Sequence, residues 1–305
     1  MSTSTATQQP APHSALRRLV ARHPVVAFLV MAYTITSAFA LPPIRTSLDI
    51  LPPELPLWDV LATIFGVGLP AFLVVAAAEG RTGMRDLARR CLRWRVGVRW
   101  YLFALLGVPI AALLCASVIF GPALLNALVE KWLLLFTLVL PRFLIRVVLF
   151  QFFEEAGWMG FLQARLQDSY GPLKAVVLAE IPFALWHLPS VMIENGLGLA
   201  QLPLALGLLG ILAIFQLFGR VVIMWLYNNT HRSVLMVVLF HSSHNITTGE
   251  LGREFIPGWS EGSVLLIASG VVAVAAVLIV VFTRGRLSYK PNHVSQIADA
   301  PLTKG

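Results

Sequence analysis

Three short segments carry the acidic, imidazole and carboxamide side chains that hydrolysis of a peptide bond requires. The first holds the adjacent pair Glu154 and Glu155, the second holds His187, and the third holds His241 and Asn245. A carboxylate can act as the general base that activates water. An imidazole and a carboxamide four residues apart share one face of a helix and can together stabilise an oxyanion. These residue types at this spacing therefore indicate an enzyme that hydrolyses peptides.

The segments around these residues have the composition of membrane helices. The chain of 305 residues is 57% hydrophobic and only 12% charged, whereas about 25% of the residues of a typical soluble domain are charged. The bilayer is therefore the predicted solvent. An ionisable group inside a bilayer is costly and has to be paired, solvated or used, which makes each of these polar residues a candidate for function.

Apolar runs of about 20 residues are long enough to cross a bilayer as helices. About eight such runs are found, and we predict an all-α membrane protein of about eight transmembrane helices that enclose a polar intramembrane site. The candidate spans are approximately 24–42, 58–78, 100–120, 133–153, 173–193, 199–225, 233–249 and 263–283. Alternate loops are the more basic, which predicts that both termini are cytoplasmic.

The formal net charge of +8 is concentrated in one stretch. Seven arginines crowd into residues 81–99, which indicates a cytoplasmic loop near anionic lipid headgroups and no nucleic-acid partner. Residues 1–16 and 288–305 are predicted to be disordered cytoplasmic tails. Between them we expect one membrane domain over residues 17–287, with its motif core in 145–250.

Each polar segment also has a purely structural interpretation. The Glu pair ends an apolar run and could mark the membrane boundary. His187 could be a core histidine, with Glu180 two helical turns before it on nearly the same face. Histidine and asparagine also form hydrogen bonds between membrane helices, and His244 is predicted to have this role.

Taken together, the three segments resemble the motifs of the CPBP family, which contains the CAAX proteases and the bacteriocin-processing proteins of the Abi type. Residues 154–159, Glu-Glu-Ala-Gly-Trp-Met, fit the family motif EExxxR except at the last position. Residues 183–187, Phe-Ala-Leu-Trp-His, fit FxxxH. Residues 241–245, His-Ser-Ser-His-Asn, fit HxxxN. The resemblance implies an eight-helix intramembrane endopeptidase.

The resemblance also implies the role of each residue. Glu154 would be the general base, and His187 would share in water activation or proton delivery. His241 and Asn245 would form the oxyanion hole. Glu155 would contact the catalytic residues and not the substrate. The implied substrate is a membrane-associated protein or peptide in contact with lipid. No cofactor is required in this interpretation.

Met159 stands where the family motif has arginine. That arginine would lie one turn beyond Glu155 and pair with its carboxylate, whereas methionine carries no charge. Four arginines elsewhere in the chain could replace it in space: Arg142, Arg146, Arg165 and Arg220.

Other functions remain open at this point. In a zinc-dependent variant, Glu154, His187 and His241 would be the metal ligands with water as the fourth, although the HExxH motif of many zinc proteases is absent from the sequence. A catalytically impaired member could act in bacteriocin immunity or as a membrane scaffold. A transporter or proton channel could use the same groups as a relay. The excess of arginine over lysine favours a bacterial plasma membrane protein.

Overall fold

The structure is a computed structural model that describes residues 15–48, 50, 56–256 and 261–291. In these ranges all regular secondary structure is helical, which confirms the predicted all-α class. The predicted N-terminal tail lies outside the described residues up to position 14, and Ala15 begins the first helix. Most of the predicted C-terminal tail, residues 292–305, also lies outside them.

The helices follow one another with short connections. They are α1 (Ala15–Arg22), α2 (Pro24–Ala40), α3 (Pro42–Ser47), α4 (Leu57–Cys91), α5 (Val98–Phe120), α6 (Pro122–Glu130), α7 (Leu135–Tyr170), α8 (Pro172–Trp186), α9 (Leu188–Glu194), α10 (Leu199–Asn229), α11 (Val234–Ile246) and α12 (Glu261–Thr283). Helix α11 continues through a π-helical turn, Thr247–Leu251, into Gly252–Phe255.

Five of these helices are long and apolar enough to cross a membrane within the described residues, namely α4, α5, α7, α10 and α12. Two bent pairs would raise the number to seven: α1 with α2, at 102°, and α8 with α9, at 43°. The chain is therefore an integral membrane protein. The expected count of about eight spans is not confirmed, because α11 with its continuation to Phe255 is not among the helices that are both long and apolar enough to cross a membrane.

Local sequence explains where several helices begin and end. Pro24, Pro42 and Pro172 occupy the first turn of their helices, where the missing N–H group of proline costs no hydrogen bond. Gly171 separates α7 from α8 with a φ angle of 79°, a conformation that glycine adopts without strain. Pro182 lies inside α8, a few residues before the bend that contains His187.

Helix α7 differs from the sequence-based expectation because it does not end at the Glu pair. The helix has 36 residues in all, Leu135–Tyr170, so Glu154 and Glu155 lie within a helix and not at its end. π-helical turns flank them at Arg146–Gln151 and Ala156–Gln163. Such turns are rare and are often found at functional sites.

A close approach between α4 and α7 holds the Glu pair in the interior. A Cβ atom added at Gly157 would come within 2.5 Å of Val67 Cγ1, and one added at Gly68 would come within 2.6 Å of the Phe153 ring. On the other side, α10 packs against α8 and α12, and α11 packs against α5. The polar residues of α7, α8, α10 and α11 thus meet in one region of the bundle.

Candidate active site

A hydrogen-bonded group of charged residues joins three helices in the interior. Glu155 of α7 accepts a hydrogen bond at Oε1 from Nδ1 of His241 on α11, over 2.7 Å. Its other oxygen, Oε2, accepts from Nη1 of Arg220 on α10, over 3.3 Å. Glu155 has no exposed surface, so both oxygens are satisfied by protein groups, as burial of a carboxylate requires.

The neighbouring carboxylate, Glu154, is in a different situation. It is also buried, but its Oε1 atom has no hydrogen-bond partner. Glu155, His241 and Arg220 all lie close enough to interact with it electrostatically. The two adjacent glutamates therefore differ in kind. Glu155 is fully engaged by protein groups, whereas Glu154 Oε1 makes no hydrogen bond within the protein.

Arg220 is 2% exposed and contacts more than one element. Besides its hydrogen bond to Glu155, its Nε atom lies 3.8 Å from Glu180 Oε2 on α8. Its guanidinium also stacks on the Phe183 ring, with Cζ 3.7 Å from the ring centroid. Cations stack favourably on aromatic faces. Arg220 thus connects α10 with both α7 and α8.

His187 lies at the bend between α8 and α9. Its Nδ1–H group donates to the carbonyl oxygen of Phe183, over 2.9 Å, because a carbonyl can only accept. The ring also makes edge contacts with Phe183 and Trp186, and Trp186 is held by a hydrogen bond from Nε1 to Thr36 Oγ1, over 2.8 Å. The neutral ring therefore presents Nε2 as a hydrogen-bond acceptor. Arg220 and His241 interact with it electrostatically.

The third motif opens onto a cavity of about 180 Å³. Its polar lining includes Glu155, Arg220, His241, His244 and Asn245, and the Nδ1 atom of His244 lies 3.5 Å from the Asn245 Oδ1 atom. The apolar lining includes Leu212, Phe215, Ile223, Phe240 and Val272. A cavity with both polar and apolar lining can accept a peptide group together with an apolar side chain.

The carboxylates and one imidazole lie close enough together to suggest a metal site. Among the described residues, the group whose ligand atoms lie within 4.8 Å of one another is Glu154, Glu155 and His241, a set that does not contain His187. Both oxygens of Glu155 are already hydrogen-bonded, and so is Nδ1 of His241. This leaves Glu154 Oε1 and His241 Nε2 without a hydrogen bond within the protein.

Sequence reasoning did not identify the partners of these residues. Of the four arginines considered as replacements at position 159, Arg220 is the one that contacts Glu155. Arg142 and Arg146 instead pair with Glu250, over 3.2 and 3.5 Å, and Arg165 pairs with Glu79.

Glu180, two helical turns before His187, lies beside Arg220, and Asp59, which the sequence did not single out, interacts electrostatically with Glu154. The signal that could have identified Arg220 is its position inside an apolar span, where a charge needs a partner.

Comparison with known proteins agrees with the motif assignment. Residues 136–247, which contain all three motifs, match the family model described as type II CAAX prenyl endopeptidase Rce1-like. CAAX prenyl protease 2 of Methanococcus maripaludis is 26% identical over 134 residues, which make up 43% of this chain and 46% of that protein. The chain therefore matches about half the length of this relative. These matches confirm the resemblance to the CAAX proteases of the CPBP family.

Proposed function

We propose that this chain, similar to the CAAX prenyl endopeptidases over residues 136–247, is an intramembrane endopeptidase of the glutamic type. The observation that carries the proposal is the different environment of two adjacent carboxylates. Glu155 is engaged at both oxygens, by His241 and Arg220, whereas Glu154 keeps Oε1 without a partner. Two carboxylates with separate environments can take separate roles in one reaction.

In the proposed reaction, Glu154 accepts a proton from a water molecule, and the water oxygen forms a bond to the carbonyl carbon of the substrate. His187 is proposed to support this step through its Nε2 atom, the ring nitrogen that is not used in the bond to Phe183. The proton held by Glu154 then passes to the departing amine as the C–N bond breaks, so that a carboxylic acid and an amine are released. This is general acid–base catalysis by a single carboxyl group.

His241 and Asn245 are proposed to stabilise the oxyanion that forms between these two steps. The Nδ1–H of His241 is used in the bond to Glu155, so the group that faces the substrate is Nε2. It can donate to an oxyanion only in the protonated ring. The nearby carboxylates of Glu154 and Glu155 supply the negative charge that this cation requires. The amide of Asn245 lines the same cavity and provides a second donor.

The contact between Arg220 and Glu155 argues against the alternative that the chain is a catalytically impaired member of the family. Its main support was Met159, which leaves Glu155 without a charged partner one turn away in its own helix. Arg220 contacts Glu155 from α10, so this support is lost. The glutamic type is proposed over the zinc-dependent alternative because the group of ligand atoms within 4.8 Å of one another contains Glu154 and His241 but not His187.

The proposed substrate is a membrane-associated protein or peptide with an apolar residue near the cleaved bond, since most of the cavity lining is apolar. The arginine-rich segment at residues 81–99 supports a topology with both termini in the cytoplasm.

The experiment is a comparison of protein termini in cells that make the wild type, Glu154→Gln or Glu130→Gln. Glu130 is an exposed glutamate at the end of α6 and is the matched control. New termini in the wild type and in Glu130→Gln that are absent from Glu154→Gln support the proposal and identify substrates. Identical termini in all three strains would refute it.

A further inference from the structure

Position 159 leaves Glu155 without a charged partner in its own helix. Met159 is completely buried in the hydrophobic core, four residues after Glu155. A buried carboxylate is strongly destabilising when it has no compensating charge. The charge that holds Glu155 therefore has to come from another helix.

Arg220 of α10 supplies that charge from 65 positions further along the chain. The side chains of Arg220 and Glu155 are 3% and 0% exposed, so water does not screen their attraction. The bond to Arg220 uses Glu155 Oε2 and thereby leaves Oε1 directed at His241 Nδ1. Arg220 lines the same cavity as Glu155 and His241, and the two bonds to Glu155 link Arg220 to His241.

Two further contacts determine where the guanidinium of Arg220 lies. It stacks on Phe183, over 3.7 Å to the ring centroid, and its Nε atom lies 3.8 Å from Glu180. The carbonyl oxygen of the same Phe183 accepts the hydrogen bond from His187. Arg220 thus contacts both Glu155, which bonds His241, and Phe183, which bonds His187.

We propose that Arg220 is a positioning residue that replaces, from a different helix, the arginine missing at position 159. It holds Glu155 as the acceptor that fixes the His241 ring with Nε2 toward the substrate. The inference rests on the proposed peptidase function, because it assigns Arg220 a role in that same site.

The first test measures peptide cleavage by full-length protein in detergent, with a substrate identified from the terminus comparison. We expect Arg220→Met to lose roughly 10- to 100-fold in kcat, the effect typical of groups that orient an active-site ligand. Arg220→Lys should keep part of the activity, because it retains the charge but not the planar geometry. Met159→Arg combined with Arg220→Met should return kcat to within about 10-fold of the wild type.

Arg142→Met is the matched control, since it also breaks an arginine–glutamate pair inside a span, the one with Glu250. It should retain wild-type kcat. If Arg220 had only a structural role, Met159→Arg would not restore kcat in Arg220→Met protein that is folded to the same extent as the wild type. Wild-type kcat in Arg220→Met, or a rescue that fails in correctly folded protein, would overturn the inference and leave the proposed peptidase function intact.

The second test does not depend on activity. The equilibrium constant for unfolding is measured for the wild type, Glu155→Gln, Arg220→Met and the double variant, which forms a double-mutant cycle. We expect the two substitutions to be coupled by roughly 10-fold or more in this constant. Additive effects would overturn the inference even if the wild type cleaved no peptide, an outcome that would separately refute the proposed function.

Discussion

Glu155 and His241 are joined by a hydrogen bond of 2.7 Å between two helices, although they are 86 positions apart in the chain. Because a carboxylate can only accept, the proton lies on Nδ1 of His241, and Nε2 is the nitrogen left to face the cavity. An acceptor on one ring nitrogen fixes both the tautomer and the direction of an imidazole. The direction of Nε2 is therefore set by a carboxylate on a different helix.

His241 and Glu155 are expected to act as one unit in catalysis. His241→Ala should lower kcat by about 10²- to 10³-fold, the usual loss for one oxyanion donor. Glu155→Gln should lower it by less, because the ring remains but loses its orientation. The double variant should be no slower than His241→Ala alone, since residues that act as a unit are not additive. Multiplied losses in kcat would contradict this coupling.

Asn245 is expected to contribute to the reaction and little to substrate affinity. Asn245→Ala should reduce kcat by about 10²-fold with a smaller change in KM, because an oxyanion donor is used mainly in the transition state. Asn195→Ala is the control, as that amide only bonds the carbonyl oxygen of Val191 within its own segment. A rise in KM at constant kcat would show instead that Asn245 binds the ground state.

Activity is expected to be independent of metal. Purified protein treated with a chelator should keep its kcat, and metal analysis should find far less than one zinc per chain, because His187, the third ligand of the zinc-dependent alternative, lies outside the group of ligand atoms within 4.8 Å of one another. Stoichiometric zinc, together with loss of activity on chelation and recovery on adding zinc, would support the metalloprotease alternative.

The contact between α4 and α7 is expected to be sensitive to a single methyl group. Gly157→Ala places a Cβ atom within 2.5 Å of Val67 Cγ1 and 3.1 Å of the Val67 carbonyl oxygen, so we expect a loss of about 1–3 kcal/mol in stability from overpacking. Gly210→Ala, in helix α10, is the control. There no atom lies within 4 Å of the new methyl group.

Gly210→Ala should stabilise helix α10 by roughly 0.5–1 kcal/mol. Thermal unfolding in detergent measures both changes. Equal shifts in Tm for Gly157→Ala and Gly210→Ala would contradict the close approach of the two helices.

The amino-acid sequence by itself determined the membrane class, the helical fold and the three motif segments. Hydropathy and the spacing of residues within one helix are local properties, and they can be read without knowing how helices pack. They singled out Glu154 with Glu155, His187, and His241 with Asn245 as polar residues in apolar segments. They also identified position 159 as the place where a charge is missing.

Only the tertiary structure decided which charged groups meet. Arg142, Arg146, Arg165 and Arg220 were equal candidates in the sequence, yet only Arg220 contacts Glu155. Helix α7 also continues beyond the Glu pair. Close contact with α4 keeps the pair in the interior. These features depend on the order and rotation of packed helices, which nearest-neighbour patterns do not encode. Partners 65 and 86 positions apart are brought together by that packing alone.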